Sequence, residues 1–178
     1  MKLSCLPVSL FADVASGAMS VGDWAEEAKK MGLDGIDISI NFIKNNSYTY
    51  LREIKESLAK SGMNIIMATS YPDFTHPDAV QRDREKDYFI RDIALCSELG
   101  VKYLRILAGQ AHPQTSREDG IRWVVENFRD CAKAAQKYGI TLLYENHSKP
   151  GAWDYCDFSY PLDIFFCLLY TSDAADEL

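Results

Sequence analysis

"CSELGVKYLRILAG", residues 96–109, decides the fold. It opens on a helix end, turns at Gly100, and becomes a short strand with Arg105 set between apolar neighbours. Three other segments share this grammar: "AKKMGLDGIDIS" (28–39), "LAKSGMNIIMAT" (58–69) and "AQKYGITLLYEN" (135–146). Their glycines, Gly32, Gly62, Gly100 and Gly139, lie 30, 38 and 39 residues apart. Glycine suits the left-handed position just past a helix end. A helix–glycine–strand unit recurring at this period predicts parallel strands joined by crossover helices.

The stretches between the strands supply the helices. "SVGD" (20–23) is a capping-box pattern ahead of Trp24, Ala28 and Met31, which share one helical face. Leu51, Ile54 and Leu58 are spaced for a second helix, and Phe89, Ile93 and Cys96 for a third running from about Asp78 to Leu99. A fourth opens at "SRED" (116–119) and carries Ile121, Val124, Val125, Phe128, Ala132 and Ala135. These stripes are read as core contacts against a sheet. The strands are expected at Leu3–Leu6, Gly35–Ser39, Asn64–Ser70, Tyr103–Ala108 and Thr141–His147. The first strand lacks the Gly-rich phosphate turn of a doubly wound sheet. A barrel of eight strand–helix units fits better and needs about 250 residues, more than the 178 here. The expected fold class is therefore α/β: a partial (β/α)8 TIM barrel, its first five β/α units, with parallel strands.

Composition narrows the function. Nearly half the residues are hydrophobic, enough for one sizeable core. A net charge of -7 argues against a nucleic-acid surface. No apolar run is long enough to span a membrane, and "MKLSCLPVSLF" (1–11) reads as a first strand rather than a secretory leader. Cys5, Cys96, Cys131, Cys156 and Cys167 are scattered without CxxC spacing, which suits reduced thiols and a cytoplasmic location.

The end of the chain breaks the pattern. "YPLDIFF" (160–166) begins another crossover helix, but "CLLYTSDAADEL" (167–178) turns small and polar with no strand to follow. It resembles the in-frame translation of a transposon-type sequencing adapter. Residues 1–166 are thus expected to be an incomplete TIM-barrel domain and 167–178 an artefactual tail. Without Asp173, Asp176 and Glu177 the net charge moves from -7 to -4. On this reading the chain is a truncated and inactive fragment, unstable because open strand edges and an uncovered inner face meet water.

Strand parity sorts the chemistry. Thr141, Leu143, Glu145 and His147 share one face; Tyr103, Arg105 and Leu107 share another; Asp37 alternates with Ile36 and Ile38. The apolar faces should meet helices, and the mixed faces should carry Asp37, Arg105 and Glu145 into the barrel. Charges there are costly unless paired or bound to a ligand. Glu145, Arg105 and His76 fall at or just beyond carboxyl ends of strands, where barrels keep their active sites. Each also has a structural reading. Glu145 can simply pair with Arg105, and Asp37 can hold interior hydrogen bonds. His147 can cap its loop, and His76 in "YPDFTHPD" (71–78) and His112 in "GQAHPQ" (109–114) can be loop histidines. Trp153 and Tyr155 can close over a ligand or pack their own loop.

"GLDGIDIS" (32–39), "YLRILAG" (103–109) and "LLYENHSKPGAWDY" (142–155) together resemble the xylose-isomerase-like barrels, the sugar phosphate isomerase/epimerase group. The resemblance runs from Met1 to about Phe166. It implies a divalent-metal-dependent sugar (phosphate) isomerase or epimerase of carbohydrate metabolism that moves a proton beside a carbonyl. Glu145 falls on the family's strand-five glutamate and takes the catalytic and metal-ligand roles. Arg105, His147, His76 and Asp37 are the candidate substrate-binding residues. The metal (Mn, Mg, Co or Zn) would take its other ligands from strands missing from this chain. The resemblance also implies a small sugar or polyol substrate, no nucleic acid and no membrane partner, and it allows a homo-oligomeric full-length parent. A lyase or dehydratase on the same barrel is the alternative. A zinc phosphodiesterase of the apurinic-endonuclease type is disfavoured by three histidines and an acidic balance.

Overall fold

The computed structural model describes residues 1–147 and 154–170. Strands β1 (Ile36–Ser39), β2 (Ile65–Thr69), β3 (Tyr103–Ile106) and β4 (Thr141–Tyr144) form one parallel sheet in chain order. Helices α3 (Tyr48–Ser61), α4 (Ala79–Glu98) and α5 (Arg117–Tyr138) bridge successive strands. Helices α1 (Phe11–Ser16) and α2 (Val21–Lys30) precede β1, and α6 (Pro161–Tyr170) follows β4. The order runs 1-2-3-4 without the reversal that marks a doubly wound sheet. It is the wall of a partial (β/α)8 barrel.

The expected local signals hold the helices. Ser20 Oγ accepts from the Asp23 N–H at 3.0 Å, and Asp23 Oδ2 accepts from the Ser20 N–H at 2.9 Å, closing the capping box. Ser116 accepts in the same way from the Asp119 N–H at the start of α5. Gly139, with φ +67°, ends α5 in the left-handed conformation that turns the chain into β4. Two expected core positions fail: Met31 and Ala132 are exposed, Met31 because it sits past the last turn of α2.

The predicted first strand is the main correction. Leu3–Leu6 runs beside β1: its Leu3 carbonyl accepts from the Asp34 N–H at 2.8 Å and its Cys5 carbonyl from the Asp37 N–H at 2.9 Å. The Leu3 N–H goes to the Asp34 carboxylate instead of a ladder carbonyl. Pro7 has no N–H to offer, and Val8–Leu10 coils into a 3-10 turn. The sheet therefore has four strands rather than five, with Leu3–Leu6 an extended edge segment. At the other end α6 continues through Tyr170, beyond Phe166. It is anchored by fully buried Ile164 and an Arg117–Asp163 ion pair at 2.8 Å. Residues 171–178 lie outside the described residues.

Register fixes which side chains are neighbours. Ser39, Thr69, Arg105 and Leu143 stand in one row across the four strands, and Asp37, Met67, Tyr103 and Thr141 in the row below. Both rows face the barrel interior. The opposite face presents Ile36, Ile38, Ala68, Leu104 and Ile106, all buried under the helices. A register shift between Ile36 and Asp37 leaves Ile66 as an extra residue on β2. It presses against Gly35, where a Cβ would lie 2.5 Å from Ile66 Cγ1.

Candidate active site

Glu145 follows the last residue of β4, and its N–H still donates to the Ile106 carbonyl at 3.2 Å. That bond prolongs the β3–β4 pairing by one step and keeps Glu145 on the interior face with Leu143. Arg105 reaches it from β3: Nη1 donates to Glu145 Oε2 at 2.9 Å. The pair is asymmetric. The Arg105 side chain is 9% exposed, and that of Glu145 is 46% exposed. A buried guanidinium thus holds a carboxylate at the open carboxyl end of the sheet. The Tyr71 ring lies over the guanidinium, 4.6 Å from its centroid to Cζ. Arg105 Nε and Nη2, together with Thr69 Oγ1 in the same row, are buried without a hydrogen-bond partner among the described residues.

Asp37 sits one row below. Burial pushes its carboxyl up, opposed by hydrogen bonds from Ser4 and the Met67 backbone. Its Oδ1 is buried and has no hydrogen-bond partner among the described residues. His147 lies beyond Glu145, with Nδ1 2.9 Å from Asp157 Oδ1. Asp157 rides on a short strap whose backbone pairs antiparallel with Gln110. Further bonds pin that strap, from the Ala111 N–H to the Cys156 carbonyl at 2.7 Å and from the Phe158 N–H to the Gly109 carbonyl at 2.9 Å.

His76 stands apart from the Glu145–Arg105 pair. Its Nδ1 accepts from the Asp78 N–H at 3.1 Å, and its ring packs edge-on against His112. His112 Nε2 in turn lies 2.7 Å from Asp73 Oδ2 in a buried pair. Asp73 also accepts from the Gln110 N–H, the Gln110 amide and the Thr75 hydroxyl. This saturated carboxylate ties the loop after β2 to the loop after β3. Tyr155 packs on His112, with ring centroids 5.1 Å apart; Trp153 lies outside the described residues. Sequence reasoning missed Thr69, Tyr71, Asp73 and Asp157. Thr69 was readable from parity, since it shares the interior face with Arg105. Asp73 and Asp157 act through loop contacts that no periodicity announces.

A second carboxylate group lines a cleft of ≈ 170 Å³ beside the end of β2. Ser70 Oγ donates to Asp92 Oδ2 at 2.6 Å. Burial raises the Asp92 carboxyl to about 6, and burial also raises Glu85 on the same cleft wall. Among the described residues, no three His, Cys, Asp or Glu side chains are grouped so as to hold a metal ion. Glu145 is a single oxygen donor, and a catalytic divalent ion takes several. The described residues therefore do not make a metal centre by themselves.

A parallel α/β barrel wall with a half-exposed glutamate at its carboxyl edge, held by a buried arginine, defines a barrel-type site. Residues 25–165 match the model of the xylose isomerase-like TIM barrel, and the chain belongs to that family. Similar solved structures include 3-keto-D-glucoside 4-epimerase YcjR from E. coli in its apo form, at 18% identity and TM-score 0.68, covering 88% of this chain and 58% of that one. D-psicose 3-epimerase in the presence of D-fructose is 20% identical at TM-score 0.69, with 84% and 53% covered. The IolI protein with a binding zinc atom is 19% identical at TM-score 0.62, with 81% and 51% covered. The chain thus spans between about half and three-fifths of these proteins' lengths. At such identities the likeness establishes the fold. No curated protein matches the chain. Among the described residues, no helix is long and apolar enough to cross a membrane.

Proposed function

We propose that this chain carries the strand-five glutamate of a sugar isomerase or epimerase, with Glu145 moving a proton beside a carbonyl. The supporting observation is the placement of Glu145: at the carboxyl edge of the sheet, on the interior face, half exposed and held by Arg105. A proton acceptor must combine access to substrate with a fixed position, and this carboxylate has both. Arg105 keeps the carboxylate oriented, while His147, fixed through Nδ1 by Asp157, stands two residues further on. The family and the sugar epimerases among the similar structures support the substrate class. A divalent cation would take Glu145 as one ligand, as the zinc of IolI suggests; its remaining ligands are not among the described residues.

Glu145→Gln keeps size and removes the proton acceptor. In the full-length parent, turnover of a ketohexose panel should fall by about 10²–10⁴-fold, with only a modest drop in melting temperature from the lost charge partner of Arg105. Arg105→Lys should cost less than Glu145→Gln if its role is to orient the carboxylate. Turnover of the Gln variant within a few-fold of wild type, with manganese, magnesium or cobalt supplied, contradicts the assignment.

A further inference from the structure

His147 follows Glu145 by two residues beyond β4, and its ring is held from elsewhere. Nδ1 lies 2.9 Å from Asp157 Oδ1 and is the ring nitrogen that makes a hydrogen bond among the described residues. The His147 side chain is 17% exposed and that of Asp157 7%. With Glu145, Leu107 and Gly109 they line a cavity of ≈ 10 Å³, about the room of one water or hydroxyl oxygen. The strap carrying Asp157 does not need that carboxylate. Its backbone is pinned to the loop after β3 by the bonds at Cys156 and Phe158. The Tyr155 N–H donates to Gln110 Oε1 at 3.1 Å, and buried Phe158 packs on Gly120 of α5. What the carboxylate adds is its grip on His147. An ionised carboxylate accepts and cannot donate. A neutral imidazole bound to it therefore carries its proton on Nδ1, and Nε2 keeps a lone pair.

We propose that Asp157 is a positioning residue: it holds His147 in the Nδ1–H tautomer, so that Nε2 accepts a hydrogen bond from a hydroxyl of the sugar bound at Glu145. The inference rests on the reading of Glu145 as the proton acceptor. The substrate of such a reaction bears hydroxyls beside its carbonyl. Each is a donor that needs an acceptor, and Arg105, the partner of Glu145, only donates. The bond to Nε2 is made alike in the bound substrate and in the transition state. Its loss therefore raises KM, whereas loss of the proton transfer at Glu145 lowers kcat.

The tautomer is read from ¹⁵N-histidine spectra of the 178-residue chain and of its full-length parent, under alkaline conditions that keep the ring neutral, with His147→Gln assigning the signal. Wild type should show a proton on Nδ1 and none on Nε2. Asp157→Asn keeps the shape but can donate as well as accept, so the Nε2–H tautomer should appear. In the parent, with a ketohexose panel, Asp157→Asn should raise KM about tenfold, the worth of one hydrogen bond, with kcat within a few-fold of wild type. A wild-type proton on Nε2, an unchanged tautomer or KM in Asp157→Asn, or a fall in kcat matching that of Glu145→Gln overturns the inference. If Asp157→Asn changes neither tautomer nor KM while Glu145→Gln lowers kcat, the positioning role falls and the isomerase reading stands. If Glu145→Gln keeps full turnover, the proton-acceptor reading falls whatever Asp157→Asn does.

Discussion

The two faces of the four-stranded sheet follow opposite rules. The outer face, with Ile36, Ile38, Ala68, Leu104 and Ile106, is sealed by helices and is apolar apart from the Tyr144 hydroxyl at its carboxyl end. The inner face carries Asp37, Ser39, Thr69 and Arg105, and on three of them buried polar atoms have no partner among the described residues. The same strands thus put stability on one side and unmet hydrogen-bonding capacity on the other. Unpaired polar atoms are tolerated where a ligand will supply what the protein lacks. Changes to the outer face should therefore lower stability and activity together, while changes to the inner face separate the two.

The largest stability effect should come from the outer face. Leu104→Ala deletes a fully buried side chain at the centre of the sheet and should cost about 2–5 kcal/mol. Chemical denaturation measures it, and a loss below about 1 kcal/mol would mean the helix–sheet layer is loosely packed. The join between the faces comes next. Gly109 has φ +133°, and a Cβ there would lie 2.3 Å from Thr75 Oγ1 and 2.6 Å from Asp73 Oδ1. Gly109→Ala should cost about 2–3 kcal/mol by combining backbone strain with displacement of Asp73. Gly139→Ala meets no atom within 4 Å and should cost only the left-handed backbone penalty of about 1 kcal/mol. Equal losses at the two glycines would remove Asp73 as the tie between loops.

The smallest effect concerns Asp92. Its carboxyl is raised from 3.8 to about 6, chiefly by burial, so the folded chain holds this proton more tightly than the unfolded chain does. Its contribution to stability is therefore fully present below about pH 4, is lost as pH rises from about 4 to 6, and stays lost above that. Asp92→Asn should flatten this slope and raise stability at pH 7 by on the order of 1–2 kcal/mol. Melting curves across pH 4–8 read it; an unchanged slope in the Asn variant would assign the titration to another group, with Glu85 the nearest candidate.

How far the sequence could be read depends on which forces were local. The helix–glycine–strand grammar, the capping box at Ser20 and the parity of Arg105 and Glu145 are local, and all three were legible. The edge segment at Leu3–Leu6 was not, because apolar residues and a bounding Pro7 look alike whether or not a full ladder forms. The Arg105–Glu145 pair was legible because both residues lie on strands of known parity. The contacts of His76, His112, Asp73 and Asp157 were hidden because loops returning from three different strands create them.

The most direct test of the central claim follows solvent hydrogen into the sugar. A proton that Glu145 removes beside the carbonyl exchanges with solvent, so turnover in D2O should place deuterium on that carbon, visible by NMR or mass spectrometry. In the full-length parent the account predicts deuterium in the sugar with wild type and a loss of about 10²–10⁴-fold with Glu145→Gln, measured where both proteins are fully folded. Deuterium incorporation by the Gln variant within a few-fold of wild type would contradict the role given to Glu145.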